Sequence, residues 1–147
     1  MKEKKPCNLR KNLALKLNSC DSKKSKLSVI VNNKSKIKKD FEPVTNCDKA
    51  FEKYIRSLIN KKFPKESNIG DEFEDKFSEN DYMWSVDPID GTRAFVIGAP
   101  TWSNLISLSY KENSLRGLAN LPELNKYYIN DKKKSYLYKN KKKFVIK

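Results

Sequence analysis

A chain of 147 residues with a net charge of +14 and no histidine is long enough for one domain with a real core. The missing histidine excludes a Ser-His-Asp triad and any histidine metal site, leaving carboxylates, hydroxyls, lysines or a bound metal to do chemistry. Residues 1–40 carry a net +10, residues 41–131 a net −4 and residues 132–147 a net +8, so the basic excess sits at the two ends and the middle is acidic.

Other broad classes fall away on similar grounds. No stretch approaches a membrane span and the lysine-rich start lacks the apolar segment of a signal peptide, so no membrane association and a cytoplasmic location are expected. Cys7, Cys20 and Cys47 are odd in number, lack CxxC spacing and read as free thiols. Arg10, Arg56, Arg93 and Arg116 are the only arginines, and a surplus made of lysine argues against specific nucleic-acid recognition.

In chain order, residues 1–40 read as a basic, weakly patterned segment. Leu9, Leu13, Ala14 and Leu17 have helical spacing, Ser19 to Lys26 is a polar break, and Leu27 to Val31 suits a strand. Thr45 then caps a convincing helix, with Asp48 three residues on as in a capping box. Ala50, Phe51, Tyr54, Ile55, Leu58 and Ile59 form its apolar face, Glu52 and Arg56 an outward i,i+4 pair, and Pro64 ends it. Gly70 marks a turn into a solvated acidic loop, Asp71-Glu72-Phe73-Glu74-Asp75.

The densest signal follows. Tyr82 to Val86 reads as a short buried strand that stops at Asp87-Pro88-Ile89-Asp90-Gly91-Thr92. Pro88 stiffens the turn, Asp87 and Asp90 offer hard anionic oxygens, and the Ile89 carbonyl is a third donor; oxygen-only sets suit magnesium, or manganese, better than zinc. Gly91 leaves the backbone uncovered, and Thr92 opens a helix whose free N–H groups can hold a phosphate. Asp-Pro and Asp-Gly are also ordinary turn dipeptides, with Asp90 or Thr92 as an N-cap; all six residues in order, after a strand, favour the site.

Arg93 to Ile97 is expected to be a brief helix and Gly98-Ala99-Pro100 a turn. Leu105 to Tyr110 and Leu115 to Leu121 pair as a hairpin about Glu112-Asn113, and Lys126–Ile129, Ser135–Tyr138 and Phe144–Ile146 are further strands. Trp102 and Arg93 could contact substrate, but a tryptophan after a turn is more often a core ring and a lone arginine more often a surface charge. One helix followed by an antiparallel meander is an α+β protein, divided into the basic segment 1–40, a domain 41–131 and a lysine-rich tail 132–147 with short strands.

The run from Asp87 to Thr92, preceded by Trp84 and followed by Arg93-Ala94-Phe95, resembles the signature of the inositol monophosphatase family of metal-dependent phosphatases. Thr92-Arg93-Ala94-Phe95 and Gly98-Ala99-Pro100-Thr101-Trp102 look more like the histidinol-phosphatase branch than the inositol branch, which has Thr-Asn-Phe. Pro43-Val44-Thr45 with Asp48 resembles that family's Pro-Val-Thr-x-x-Asp, and Gly70-Asp71-Glu72 stands where it has Gly-Glu-Glu.

The resemblance implies the N-terminal half of a layered sugar-phosphatase fold and hydrolysis of a small phosphate monoester, histidinol phosphate first, with inositol 1-phosphate or another sugar phosphate as alternatives. It implies two magnesium ions held by Asp71, Asp87, Asp90 and the Ile89 carbonyl, with Glu72 assisting because Asp71 is one methylene shorter than the family's glutamate. Gly91, Thr92 and Arg93 would face the phosphate, and Thr92, oriented by Asp48, would position the attacking water. Family members have a second half with a further metal-binding aspartate, and nothing after Asp131 matches it, so this stretch alone is expected to bind magnesium weakly and turn over little without a partner chain. A homodimer is among the assemblies the resemblance allows. The rival readings are a non-catalytic relic and a basic RNA-binding module with Tyr127, Tyr128, Tyr136 and Tyr138 as stacking platforms.

Overall fold

The computed structural model describes residues 46–131 and 133–146. The expectations for residues 1–40 and the Thr45 cap lie outside the described residues. Helix α1 (Asn46–Lys62) leads into a seven-stranded sheet with β1 (Ser67–Gly70), β2 (Tyr82–Asp90), β3 (Ser103–Tyr110), β4 (Asn113–Leu121), β5 (Lys126–Asn130), β6 (Ser135–Lys139) and β7 (Lys142–Ile146) lying side by side in chain order. Only β1 and β2 run parallel, and a short helix α2 (Thr92–Val96) interrupts the path from β2 to β3. The class is α+β, as the alternating patterns imply.

Helix α1 carries Asp48 in its first turn and Lys61 and Lys62 in its last, which complements the helix dipole. Its inward face differs from the expected one. Ala50 and Tyr54 are exposed, whereas Asp48, Glu52, Ile55, Arg56 and Ile59 are buried. Glu52 and Arg56 do not form the outward pair their charge suggests: Glu52 is fully buried and Arg56 is 7% exposed. Ile55 and Ile59 pack on Trp84 and Val86 of β2, Ile106 and Leu108 of β3, Leu118 of β4 and Ile129 of β5, which form the main core on one face of the sheet.

One strand, two loops and one strand end depart from expectation. Strand β1 was hidden in a polar tetrapeptide and forms because it lies parallel to β2, Ser67 against Met83 through Gly70 against Val86. Its antiparallel bridge from Asn68 to Lys76 closes the acidic loop at its base. The hairpin turn is Lys111-Glu112, one residue earlier than Glu112-Asn113, and both residues adopt positive φ (47° and 65°), the twist that a two-residue loop between antiparallel strands demands. Strand β2 does not stop at Asp87. It runs on to Asp90 through a bulge.

Candidate metal and phosphate site

The bulge is the local device that shapes the site. Asp87 faces Leu105 and Asp90 faces Ser103, so three steps along β2 match two along β3 and one extra residue is pushed out. Pro88 has no N–H to lose from the ladder, which is why it is tolerated here. Its freed carbonyl accepts a hydrogen bond from Asn104 Nδ2 (2.6 Å), and Asn104 Oδ1 accepts one from Asn120 Nδ2 (2.8 Å). Both asparagines are almost wholly buried, so a polar ladder across β3 and β4 fixes the bend. Nothing in the local sequence marks those asparagines; the bulge that needs them exists only after β2, β3 and β4 have paired.

Beyond the bulge, Gly91 takes the left-handed conformation (φ 82°) as the N-cap of α2, so neither Asp90 nor Thr92 caps that helix through a side chain. Thr92 begins the helix as expected, and its hydroxyl donates to the Ile89 carbonyl at 2.9 Å, whereas the resemblance implies that Asp48 orients it. The Ile89 side chain is buried with Cys47 of α1 and Trp102, and Phe95 meets Trp102 edge-on. Trp102, 5% exposed, is therefore core, while Arg93 is exposed on α2. The small cluster pins the first turn of α1, and with it Asp48, to the end of β2.

Electrostatics shows which acids this packing brings together. The half-buried Asp87 is pushed up to about 6, first by burial and then by Asp90, Asp71 and Asp48; the Ile89 N–H bonded to its carboxylate offsets part of that. Glu72 is likewise pushed up to about 6, by burial and then by Asp48 and Glu52, with Asp71 adding to the effect and Lys49 opposing it. Asp71 and Asp90 are exposed, and Asp90 Oδ2 accepts a hydrogen bond from Ser103 Oγ at 2.9 Å, which leaves its second oxygen for another partner.

Among the described residues, no group of three acids closes around one point as an ion cage. The donor set nevertheless fits a hard divalent cation: oxygen atoms only, on an end of the sheet where burial, and then the neighbouring acids, raise Asp87 and Glu72 above the usual carboxylate range. A cation there would relieve both the repulsion and the cost of burial.

The tyrosines offered as stacking platforms are committed elsewhere. Tyr127 is buried and stacks on Tyr138 at 4.7 Å, Lys143 Nζ lies 3.7 Å from the Tyr136 ring centroid, and Lys126 sits over Tyr128. Among the described residues no helix is long and apolar enough to cross a membrane.

A model of the inositol monophosphatase family matches residues 12–146. A histidinol-phosphatase of Chlorobaculum parvum is 40% identical over 91 residues, which is 62% of this chain and 35% of that protein. A fructose-1,6-bisphosphatase/inositol-1-monophosphatase of Aquifex aeolicus is 34% identical over 97 residues, 66% of this chain and 36% of that protein. In structure, the extragenic suppressor protein suhB of Bartonella henselae superposes with a TM-score of 0.72 over 94% of this chain and 50% of that one; at 22% identity it shows a shared fold alone. The chain thus spans about a third of the curated relatives and half of the solved one.

Proposed function

The chain belongs to the inositol monophosphatase family, and from that premise we propose that it carries the metal and phosphate part of a hydrolase acting on a small phosphate monoester, with histidinol phosphate as the favoured substrate. One observation carries the reading. The β2 bulge brings Asp87 and Asp90 to the end of the sheet beside the Gly91-Thr92 turn, within electrostatic reach of Asp71 and Asp48 from two other segments. The preference for histidinol phosphate rests on Thr92-Arg93-Ala94-Phe95 and on the histidinol-phosphatase relative.

Asp71, Asp87, Asp90 and the Ile89 carbonyl would hold the cations, magnesium first and manganese as an alternative, with Glu72 assisting. Bound there, such ions supply charge neutralisation on the phosphate and acidify water. The chain's own part is positional. Gly91, with no side chain, lets a phosphate approach the backbone at the start of α2, and Arg93 adds positive charge from the same turn. Thr92 and Asp48 orient the attacking water, Thr92 from the first residue of α2 and Asp48 from the first turn of α1. A lone carboxylate cluster without histidine suffices for this division of labour, because positioning and charge stabilisation do most of the work in phosphoryl transfer.

Calorimetric titration of the purified chain with MnCl2, together with phosphate release from histidinol phosphate, inositol 1-phosphate and fructose 1,6-bisphosphate, tests the reading. Manganese uptake that disappears in Asp90→Asn, with histidinol phosphate the best of the three substrates, is the expected result. Uptake undiminished by Asp87→Asn and Asp90→Asn together would remove the metal site, and equal rates on all three esters would remove the substrate preference.

A further inference from the structure

The buried charges of α1 have a task that neither core packing nor the metal donors account for. Glu52, fully buried, reaches across to the acidic loop, where its Oε2 accepts the backbone N–H of Glu72 at 2.9 Å. Arg56, one turn on, grips the next two residues of that loop: Nη2 donates to the Phe73 carbonyl at 3.1 Å and Nη1 to the Glu74 carbonyl at 2.8 Å. Nη1 also donates to Asn68 Oδ1 at 3.1 Å, tying the loop to β1. The two side chains hold each other, Arg56 Nε lying 2.7 Å from Glu52 Oε1, at an angle too poor for a hydrogen bond.

Gly70 completes the arrangement. A Cβ there would lie 2.6 Å from Glu52 Oε1 and 2.9 Å from the Val86 carbonyl, so the absence of a side chain is what lets the carboxylate pass the end of β1 to Glu72. Neutral core residues would fill this space at lower desolvation cost, and what they would lose is a donor and an acceptor aimed at three consecutive backbone groups of one loop.

We propose that Glu52 and Arg56 are positioning residues for the Asp71-Glu72 segment, an inference that rests on the reading of those acids as cation donors. The pair holds the loop backbone against α1, so that the Asp71 side chain stays within electrostatic reach of Asp87, and the Glu72 side chain within reach of Asp48, before any ion arrives. Outer groups of this kind commonly change metal affinity by about 10–100-fold when altered.

The test compares the parent chain with Arg56→Lys, which keeps the positive charge but replaces the fork, whose Nη1 and Nη2 reach separate carbonyls, by one compact ammonium, and with Gly70→Ala, which displaces the Glu52 carboxylate. Amide exchange followed by NMR and calorimetric titration with MnCl2 are the two readouts. The Glu72 amide should accelerate at least about tenfold more than the Ile55 and Ile59 amides in both variants, and Mn2+ should bind about tenfold more weakly. A Glu72 amide unchanged in both variants overturns the inference, as does faster exchange with Mn2+ affinity intact. Acceleration shared equally by Ile55 and Ile59 would likewise sink it, since the pair would then act on global stability alone. A parent chain that takes up no Mn2+ sinks the metal reading instead, and Glu72 exchange then decides whether the pair holds the loop.

Discussion

The two ends of the sheet treat polarity in opposite ways. From α1 across β1 to β4, charged and amide side chains are sealed from solvent: Glu52, Asn104 and Asn120 are at most 1% exposed. At the far end, β7 leaves Phe144, Val145 and Ile146 at 48%, 58% and 40% exposure, and none of the residues of β7 is buried. Hydrophobicity alone would have reversed this distribution. Burying an ion pair costs desolvation that packed apolar groups would avoid, so its presence goes with a geometric demand, here the fixing of an acidic loop. The exposed apolar strand reflects the lack of a second layer over it among the described residues.

That contrast can be broken most severely at Arg56. Arg56→Ala leaves Glu52 charged, buried and without its partner, and is expected to cost about 3–5 kcal/mol in urea unfolding, enough to threaten the fold. A loss under about 1 kcal/mol would mean that the pair is not a stabilising unit. Gly70→Ala should cost less, about 1–3 kcal/mol, because the clash with Glu52 Oε1 at 2.6 Å and the Val86 carbonyl at 2.9 Å forces a rigid neighbourhood to shift.

A milder perturbation is pH. Asp87 and Glu72 are both raised to about 6, so the native state binds protons more tightly than the unfolded chain does. The stability they contribute is fully present below the ordinary carboxylate range near pH 4 and is lost as pH rises through about 6. In a chelator-containing buffer the urea midpoint should therefore be higher at pH 5 than at pH 7.5 as far as these groups act, and Asp87→Asn should flatten the difference. Saturating MnCl2 should raise the midpoint at pH 7.5 more than at pH 5.

The smallest effect belongs to the other end of the sheet. Val145→Thr, at a solvent-facing position of an edge strand, should move stability by no more than about 0.5 kcal/mol. A larger loss in a concentration-dependent unfolding experiment would show that β7 is covered in solution by another copy of the chain, and would narrow the contrast between the two ends.

The sequence reveals features that depend on local chemistry. Proline and glycine spacing marks an interruption of regular pairing at Asp87 to Thr92, which the structure realises as a strand bulge and not a turn, alternation gives β3 to β5, and Pro64 lies just beyond the last turn of α1. The Asp87, Asp90 and Thr92 constellation is legible for the same reason: six contiguous residues of restricted conformation leave few alternatives. The inward face of α1 is not legible, because Ala50 and Tyr54 have as much apolar character as a core position requires while Glu52 and Arg56 have none. What turns α1 is the acidic loop, whose backbone donors and acceptors are satisfied by those charges and by no nearer residue.

The sequence by itself therefore determined the α+β class, the family signature and the acids on either side of Pro88 and Ile89, all set by neighbours within a few residues. Only the tertiary structure decided that β2 continues through a bulge, that Asn104 and Asn120 cap it, and that a buried Glu52–Arg56 pair grips the loop of Asp71 and Glu72. Each of those rests on a partner 13 or more residues away, as with Glu72 N–H to Glu52 twenty positions apart, and pairing across such distances is settled when the chain closes, not along its length.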